Sequence, residues 1–329
     1  MLNFKGKKGE EVAKTLISAC LWNDSVENKS RAYDVSPQTV RNYVEKQGME
    51  VIEKLLERVR KISLEVLKGV KEVDLSIDWT TKTWYGRPVK GLGSSEKGSS
   101  WNYATATTKY NGKVLLLAFI QQVNGMTKDE IVKALVEQVV AMGFKIRLIT
   151  LDAGFYTIYV LNFISQFKYT IAVPAGDVKV YQEFDGEYKT NSKRHKKDEQ
   201  VKFRLLVYSK EKVRRKRRSL VHFARATNLE TPKREVLDLY NRVRGPIETS
   251  YRNIKAFLPF TSFTKFIFRT LIFVLAIVLY SLYTIFKGKV RREEFRLLLI
   301  LLFHSFNPEI FTFNLVESFI NTIDLFSRG

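Results

Sequence analysis

Three carboxylates, Asp78, Asp152 and Glu248, stand where a pattern of apolar residues begins or ends. Asp78 follows the alternating residues of VDLSIDW, Asp152 closes the apolar run IRLITLD, and Glu248 lies within YNRVRGPIETSYRNIK, from Tyr240 to Lys255. Two carboxylates at neighbouring strand ends offer the oxygen ligands that hard divalent cations prefer. A third on a nearby helix would complete a pocket for two metals about 3.5–4 Å apart, which activates the attacking oxygen and stabilises the leaving one in phosphoryl transfer. A lone Asp at a strand end is more often a turn former or cap, so the specificity rests on the third element. At helical spacing Tyr251, Arg252 and Lys255 share a sector with Glu248, while Ile247, Ile254 and Leu258 fall near the opposite, core-facing side. A glutamate beside three phosphate-capable donors suits a polyanionic backbone held over metals. Asp74, four residues earlier in the first strand, is the nearest competitor of Asp78.

The elements that must position these groups are legible in the changes of period. VDLSIDW from Val73, WNYATATT from Trp101 and VLLLAFI from Val114 read as three strands, separated by SSEKGSS and Asn111-Gly112. A helix from Thr127 to Met142 follows, with Thr127 as cap and Glu130 three residues on, and then the strand IRLITLD. A helix near Tyr156–Gln166 precedes the strand YTIAVP. Three strands, helix, strand, helix, strand is the order of a ribonuclease-H-like α/β fold, a mixed five-stranded sheet between helices. Residues 176 to about 220 read as a basic insertion, with KTNSKRHKK and KEKVRRKRR flanking the strand-like KFRLLVY. HFARATN from His222 would return to the sheet, and a final helical region would start near Pro246.

Residues 1–50 read as a helical, helix-turn-helix-like module: Glu10–Trp22, a short helix to Tyr33, and SPQTVRNYVEKQG with Ser36 as cap and Gly48 as stop. Gln38, Arg41 and Asn42 would face outward, with amide and guanidinium groups suited to reading base edges. Residues 51–72 form a connector helix, and 73–329 the catalytic domain, with a C-terminal helical region over 260–329.

Composition points to a polyanionic partner. Lys and Arg total 55 against 34 Asp and Glu, a formal charge of +21, which favours nucleic acid first and an anionic membrane second. A single cysteine leaves no intramolecular disulfide, and three scattered histidines give no zinc-ligand spacing. MLNFKGKKGEEVAKTL lacks the apolar run of a secretory signal, so the chain reads as cytoplasmic. Thr270–Phe286 is uncharged and just short of the ~20 residues that span a bilayer. It reads as a helix apolar all round because it is buried, with a membrane span as the alternative.

The chain resembles the DDE transposases of bacterial and archaeal insertion sequences, in the insertion-sequence-four superfamily, whose signature is Y-x2-R-x3-E-x6-K. Arg244, Glu248 and Lys255 stand at that spacing, while Tyr240 is one residue further from Arg244. SIDWTTKTWYG around Asp78 and ITLDAGFYT around Asp152 are also similar to the family. The resemblance implies cut-and-paste transposition, with Asp78, Asp152 and Glu248 as catalytic ligands of two Mg²⁺ (or Mn²⁺) ions. It further implies phosphate contacts from Arg244, Arg252, Lys255 and Tyr240 or Tyr251, double-stranded DNA as partner, and a homodimer assembled on that DNA. A nuclease without strand transfer and a non-catalytic DNA-binding protein are the competing readings.

Overall fold

A computed structural model describes residue 4 and residues 6–87, 89–95, 98–174, 183–190, 200–214, 217–286 and 290–305. Most of KTNSKRHKK, and the region beyond 305, lie outside these residues. The chain divides into two compact units, Ser63–Tyr251 and a second made of Met1–Ile62 with Arg252–Gly329.

The Ser63–Tyr251 unit is built on one mixed sheet. Its strands are β1 (Glu72–Thr83), β2 (Gly93–Ser95), β3 (Gly98–Tyr110), β4 (Lys113–Gln122), β5 (Lys145–Leu151), β6 (Tyr169–Val173), β7 (Phe184–Lys189), β8 (Lys202–Arg214) and β9 (Arg217–Thr227). They run in the order β2-β3-β1-β5-β6-β9-β8-β7, with β4 also paired to β3. β1 pairs antiparallel with β3 and parallel with β5, and β6 continues the parallel set. Its helices are α4 (Lys128–Ala141), α5 (Ile158–Ile164) and most of α6 (Lys233–Ala256).

Alternation along the strands sorts their residues between two faces. Leu75, Ile77, Ala104, Ala106, Ile149 and Leu151 bury themselves with Leu135, Val139 and Leu161 of α4 and α5. Leu148 and Leu206 point the other way and pack with Val236 and Val243 of α6. Parity therefore puts Asp78 and Asp152 on the α6 face. The capping box at α4 forms as its sequence indicates, Thr127 Oγ1 accepting from Glu130 N and Glu130 Oε2 from Thr127 N.

The mixed α/β class agrees with the sequence reading, but among the described residues one sheet has nine strands, where a five-stranded core with a separate strand-containing insertion was expected. β9, which carries HFARAT, pairs antiparallel with β6 and so returns to the sheet, and the segment read as an insertion adds β8 and β7 beyond it at the edge of the same sheet. β7 escaped notice because FDGEYK is a half-exposed edge strand with little apolar signal, and β2 because it is only Gly-Ser-Ser. α6 begins at Lys233, well before Pro246. Pro246 sits inside the helix because the buried residues Val236, Tyr240, Val243, Arg244 and Ile247 hold one continuous face against the sheet.

The second unit joins the two ends of the chain. It contains α1 (Gly9–Trp22), α2 (Val26–Ala32), α3 (Pro37–Val66) as far as Ile62, α7 (Phe266–Phe286) and α8 (Arg292–Ser305). Ser25 caps α2, and Gly48, at φ 60°, breaks α3 into two helices across a kink. The Glu27 carboxylate accepts hydrogen bonds from Ser262 N and Oγ and from Thr261 Oγ1, at 2.7–3.2 Å. α7 is long and apolar enough to cross a membrane, yet 78% of its most apolar window is buried inside this protein. α1 packs against it, and Phe295 of α8 meets Tyr283 and Phe286.

Candidate active site

Asp78 and Asp152 come together through register. Ile77 of β1 pairs with Leu151 of β5, so the next residue of each parallel strand is an aspartate. Asp152 lies just past the end of β5, whereas β1 continues beyond Asp78 to Thr83 along β3, so Asp78 is not at a strand terminus. Asp74 is engaged elsewhere: Arg147 Nε and Nη2 grip its two oxygens at 2.8 and 2.6 Å.

The two aspartates share one cation. Nη2 of Arg244, on α6, lies 3.1 Å from Asp78 Oδ2 and 3.2 Å from Asp152 Oδ1. The side chains of Asp78 and Arg244 are 8% and 10% exposed and that of Asp152 39%, so the site is reached from the Asp152 side. The remaining Asp78 oxygen accepts from Trp79 N at 2.8 Å. Beyond Asp152 the chain makes a tight turn, with Phe155 N donating to Asp152 O at 3.0 Å. Phe155 is fully buried with its ring 5.1 Å from that of Trp79, and a Cβ at Gly154 would stand 3.3 Å from the Trp79 indole nitrogen. That close approach explains a glycine in Asp-Ala-Gly-Phe.

Two tyrosines seat α6 on the sheet. Tyr240 donates to the Leu151 carbonyl at 3.3 Å, and Tyr251 donates to the Asp78 carbonyl at 2.9 Å. Tyr251 is also 2.7 Å from Thr105 Oγ1, and Thr105 is the β3 partner of Asp78. Since the phenolic proton goes to the carbonyl, Thr105 donates to the tyrosine. The phenol of Tyr251 is raised well above its ordinary value, by burial first and by the charge of Asp78, against Thr105 and Arg244.

Burial likewise pushes Tyr240 up to about 12, with Asp152 and Asp78 adding while Arg244 and Arg225 oppose. An unfolded tyrosine ionises near about pH 10. Tyr240 therefore costs no stability below that pH; between it and about 12 the unfolded chain loses the proton first, and the fold weakens. Urea midpoints measured across this alkaline range should fall with pH, and fall less steeply in Tyr240→Phe.

The chain matches the family described as "Transposase DDE domain" over residues 71–280. It belongs to the DDE transposase family. Residues 1–46 match a second family, described as "Domain of unknown function (DUF4322)". Among solved structures, the chain is similar to a piggyBac transposase in a synaptic complex with hairpin DNA, at 11% identity and a TM-score of 0.56, covering 98% of this chain and 77% of that one. No curated protein sequence matches it.

DDE transposases generally depend on divalent metals, and the pocket is suited to one. Two hard oxygen donors already converge on one cationic group. Among the described residues no set of three or more His, Cys, Asp or Glu gathers. The third member expected here, Glu248, has its backbone in α6 one turn after Arg244, and its side chain lies outside the described part.

Other expected DDE site residues fall in several places. Arg252 and Lys255 are exposed on the last turns of α6. Tyr251 does not share their face: it is buried in line with Tyr240, Arg244, Ile247 and Ile254. Both tyrosine hydroxyls go to backbone carbonyls, and Arg244 to the aspartates, where phosphate contacts were expected. In α3, Gln38 and Asn42 are exposed and bonded to each other at 2.7 Å, but Arg41 turns inward, its guanidinium 4.4 Å over the Phe263 ring. Sequence reasoning missed Arg225 of β9, stacked 4.2 Å over the Tyr240 ring, and left Thr105 aside. An arginine among the apolar residues of HFARATN was the available signal for the first.

Proposed function

We propose that this chain is a cut-and-paste DNA transposase of the insertion-sequence-four superfamily, with Asp78, Asp152 and Glu248 as its metal-binding catalytic triad. The observation that carries the reading is the convergence of Asp78 and Asp152 on Arg244, from the helix that bears Glu248. The YREK-type spacing of Arg244, Glu248 and Lys255 supports the superfamily. The order β4-β3-β1-β5-β6 within the sheet supports a ribonuclease-H-like core.

Mg²⁺ or Mn²⁺, two ions, would be held by the three carboxylates. When bound, they supply Lewis-acid stabilisation to the attacking and leaving oxygens of phosphoryl transfer. The chain does the rest. Tyr240, Tyr251 and Thr105 fix α6 to the two aspartate strands, and Arg252 and Lys255 are exposed to receive phosphates.

Double-stranded DNA is the partner, favoured by the net charge of +21, and by the likeness to a transposase described on hairpin DNA. Pairing two DNA ends calls for a homodimer on that DNA. Residues 1–50 act as the helix-turn-helix-like reader through Gln38 and Asn42, residues 51–72 as connector and 73–329 as the catalytic domain. The burial of α7 favours a core helix over a membrane anchor, which suits a protein that acts on DNA in the cytoplasm.

The test is a joining assay with a pre-cut transposon end, target DNA and Mg²⁺. Covalent joining that requires both the metal and the 3′-hydroxyl is the expected result. Hydrolysis without joining reduces the protein to a nuclease, and binding with neither reaction makes it a non-catalytic DNA-binding protein.

A further inference from the structure

We infer that Arg244 is the resident counter-ion of the metal site, displaced when divalent ions bind, so that metal loading releases a guanidinium toward the DNA phosphates. The inference rests on the metal-binding role proposed for Asp78 and Asp152.

One nitrogen of Arg244 stands 3.1 and 3.2 Å from oxygens of both aspartates, in the space a shared cation would take. Mg²⁺ requires oxygens at about 2.0–2.1 Å in octahedral order and keeps bound waters. A guanidinium nitrogen bridging the same oxygens would stand against a like charge in a pocket where Asp78 and Arg244 are nearly buried. The two cations therefore exclude each other. Without metal, Arg244 neutralises the buried Asp78 carboxylate.

The backbone around Arg244 is suited to such an exchange. Gly245 and Pro246, the two poorest helix formers, follow it directly in α6. Packing does not demand the glycine, since a Cβ at Gly245 would meet nothing within 4 Å. Pro246 also deprives the Arg242 carbonyl of its helical donor. Gly245 and Pro246 thus weaken the helical backbone beside Arg244 while the buried residues on either side keep the helix on the sheet, and the more exposed Asp152 leaves the way in for a hydrated ion.

The experiment titrates Mn²⁺ into the full chain without DNA, following free Mn²⁺ by electron paramagnetic resonance. If the open site is populated about one part in ten while Arg244 occupies it, Arg244→Gln should bind Mn²⁺ about tenfold more tightly than the parent. Asp152→Asn should lose the binding. Equal or weaker binding by Arg244→Gln, with the loss in Asp152→Asn intact, overturns the counter-ion role and leaves the metal site standing. Unchanged binding in Asp152→Asn instead overturns the metal site itself. Should Arg244→Gln not fold, the parent decides: saturating Mg²⁺ must shift the Arg244 Nε resonance in ¹⁵N spectra, and a resonance that stays in place while Mn²⁺ binds refutes the exchange.

Discussion

Asp152→Asn is expected to lower DNA strand cleavage about a thousandfold, since removing a single preorganised donor to developing charge costs about 10²–10³ and a lost carboxylate here weakens the hold on the metals that stabilise both the attacking and leaving oxygens. Binding of the same DNA should stay within about twofold, because affinity for a duplex comes chiefly from Lys and Arg neutralising phosphates. The choice of Asp152 matters. Its side chain is 39% exposed, so exchange for an amide of the same shape disturbs the fold little, and lost cleavage reports chemistry. Asp78→Asn should lose as much activity but also stability, because Asp78 is 5% exposed and its removal leaves the buried Arg244 with a weaker partner. Cleavage assays paired with urea melts of both variants check this. Retained cleavage in a folded Asp152→Asn protein would end the triad assignment.

Tyr251→Ala is expected to cost about 3–5 kcal/mol, the range for deleting a buried aromatic ring, and Tyr251→Phe about 1–3 kcal/mol. The smaller change isolates the hydroxyl, which links the Asp78 carbonyl at 2.9 Å to the Thr105 hydroxyl at 2.7 Å. Losing it takes a donor from the buried Asp78 carbonyl and an acceptor from the Thr105 hydroxyl, and loosens α6 over β1. Since α6 also carries Glu248, cleavage by Tyr251→Phe should fall about tenfold even at temperatures where the protein is fully folded, the scale expected when a positioning contact is lost. Chemical denaturation and single-turnover cleavage on the same samples separate the two effects. A stable Tyr251→Phe protein with undiminished cleavage would show that this clamp does not position the site.

These expectations draw on features of unequal legibility. β1, β3, β4, α4, β5, α5 and β6 were readable in order because each presents a clean period or an apolar run with turn residues between. The edge was not. β7 has half-exposed polar residues at alternate positions, and its place in the sheet depends on long-range pairing with β8. Pro246 looked like a helix start because isolated propensity favours it there. Tertiary packing of Tyr240, Val243 and Arg244 overrode that preference and carried the helix through.

The aspartates show the same division. Alternation placed Asp74 and Asp78 on one face and could not rank them; Arg147, reaching Asp74 from β5, separated them by satisfying one and leaving the other to Arg244. Tyr251 sits at the border of the buried stripe, where a helical period cannot tell solvent from core. Its burial was decided by the Asp78 carbonyl and Thr105, 173 and 146 residues away in the chain.

By itself, then, the amino-acid order determined the succession of strands and helices, the positive charge, the spacing of Arg244, Glu248 and Lys255, and the positions of Asp78 and Asp152 after their apolar runs. These are local or compositional properties, written in periods of two and 3.6 residues. Only the tertiary structure decided that the two aspartates lie side by side, that one arginine holds both, and that the tyrosines serve the backbone. Register between parallel strands and the docking of a helix on a sheet arise from contacts across scores of residues, which no local pattern encodes.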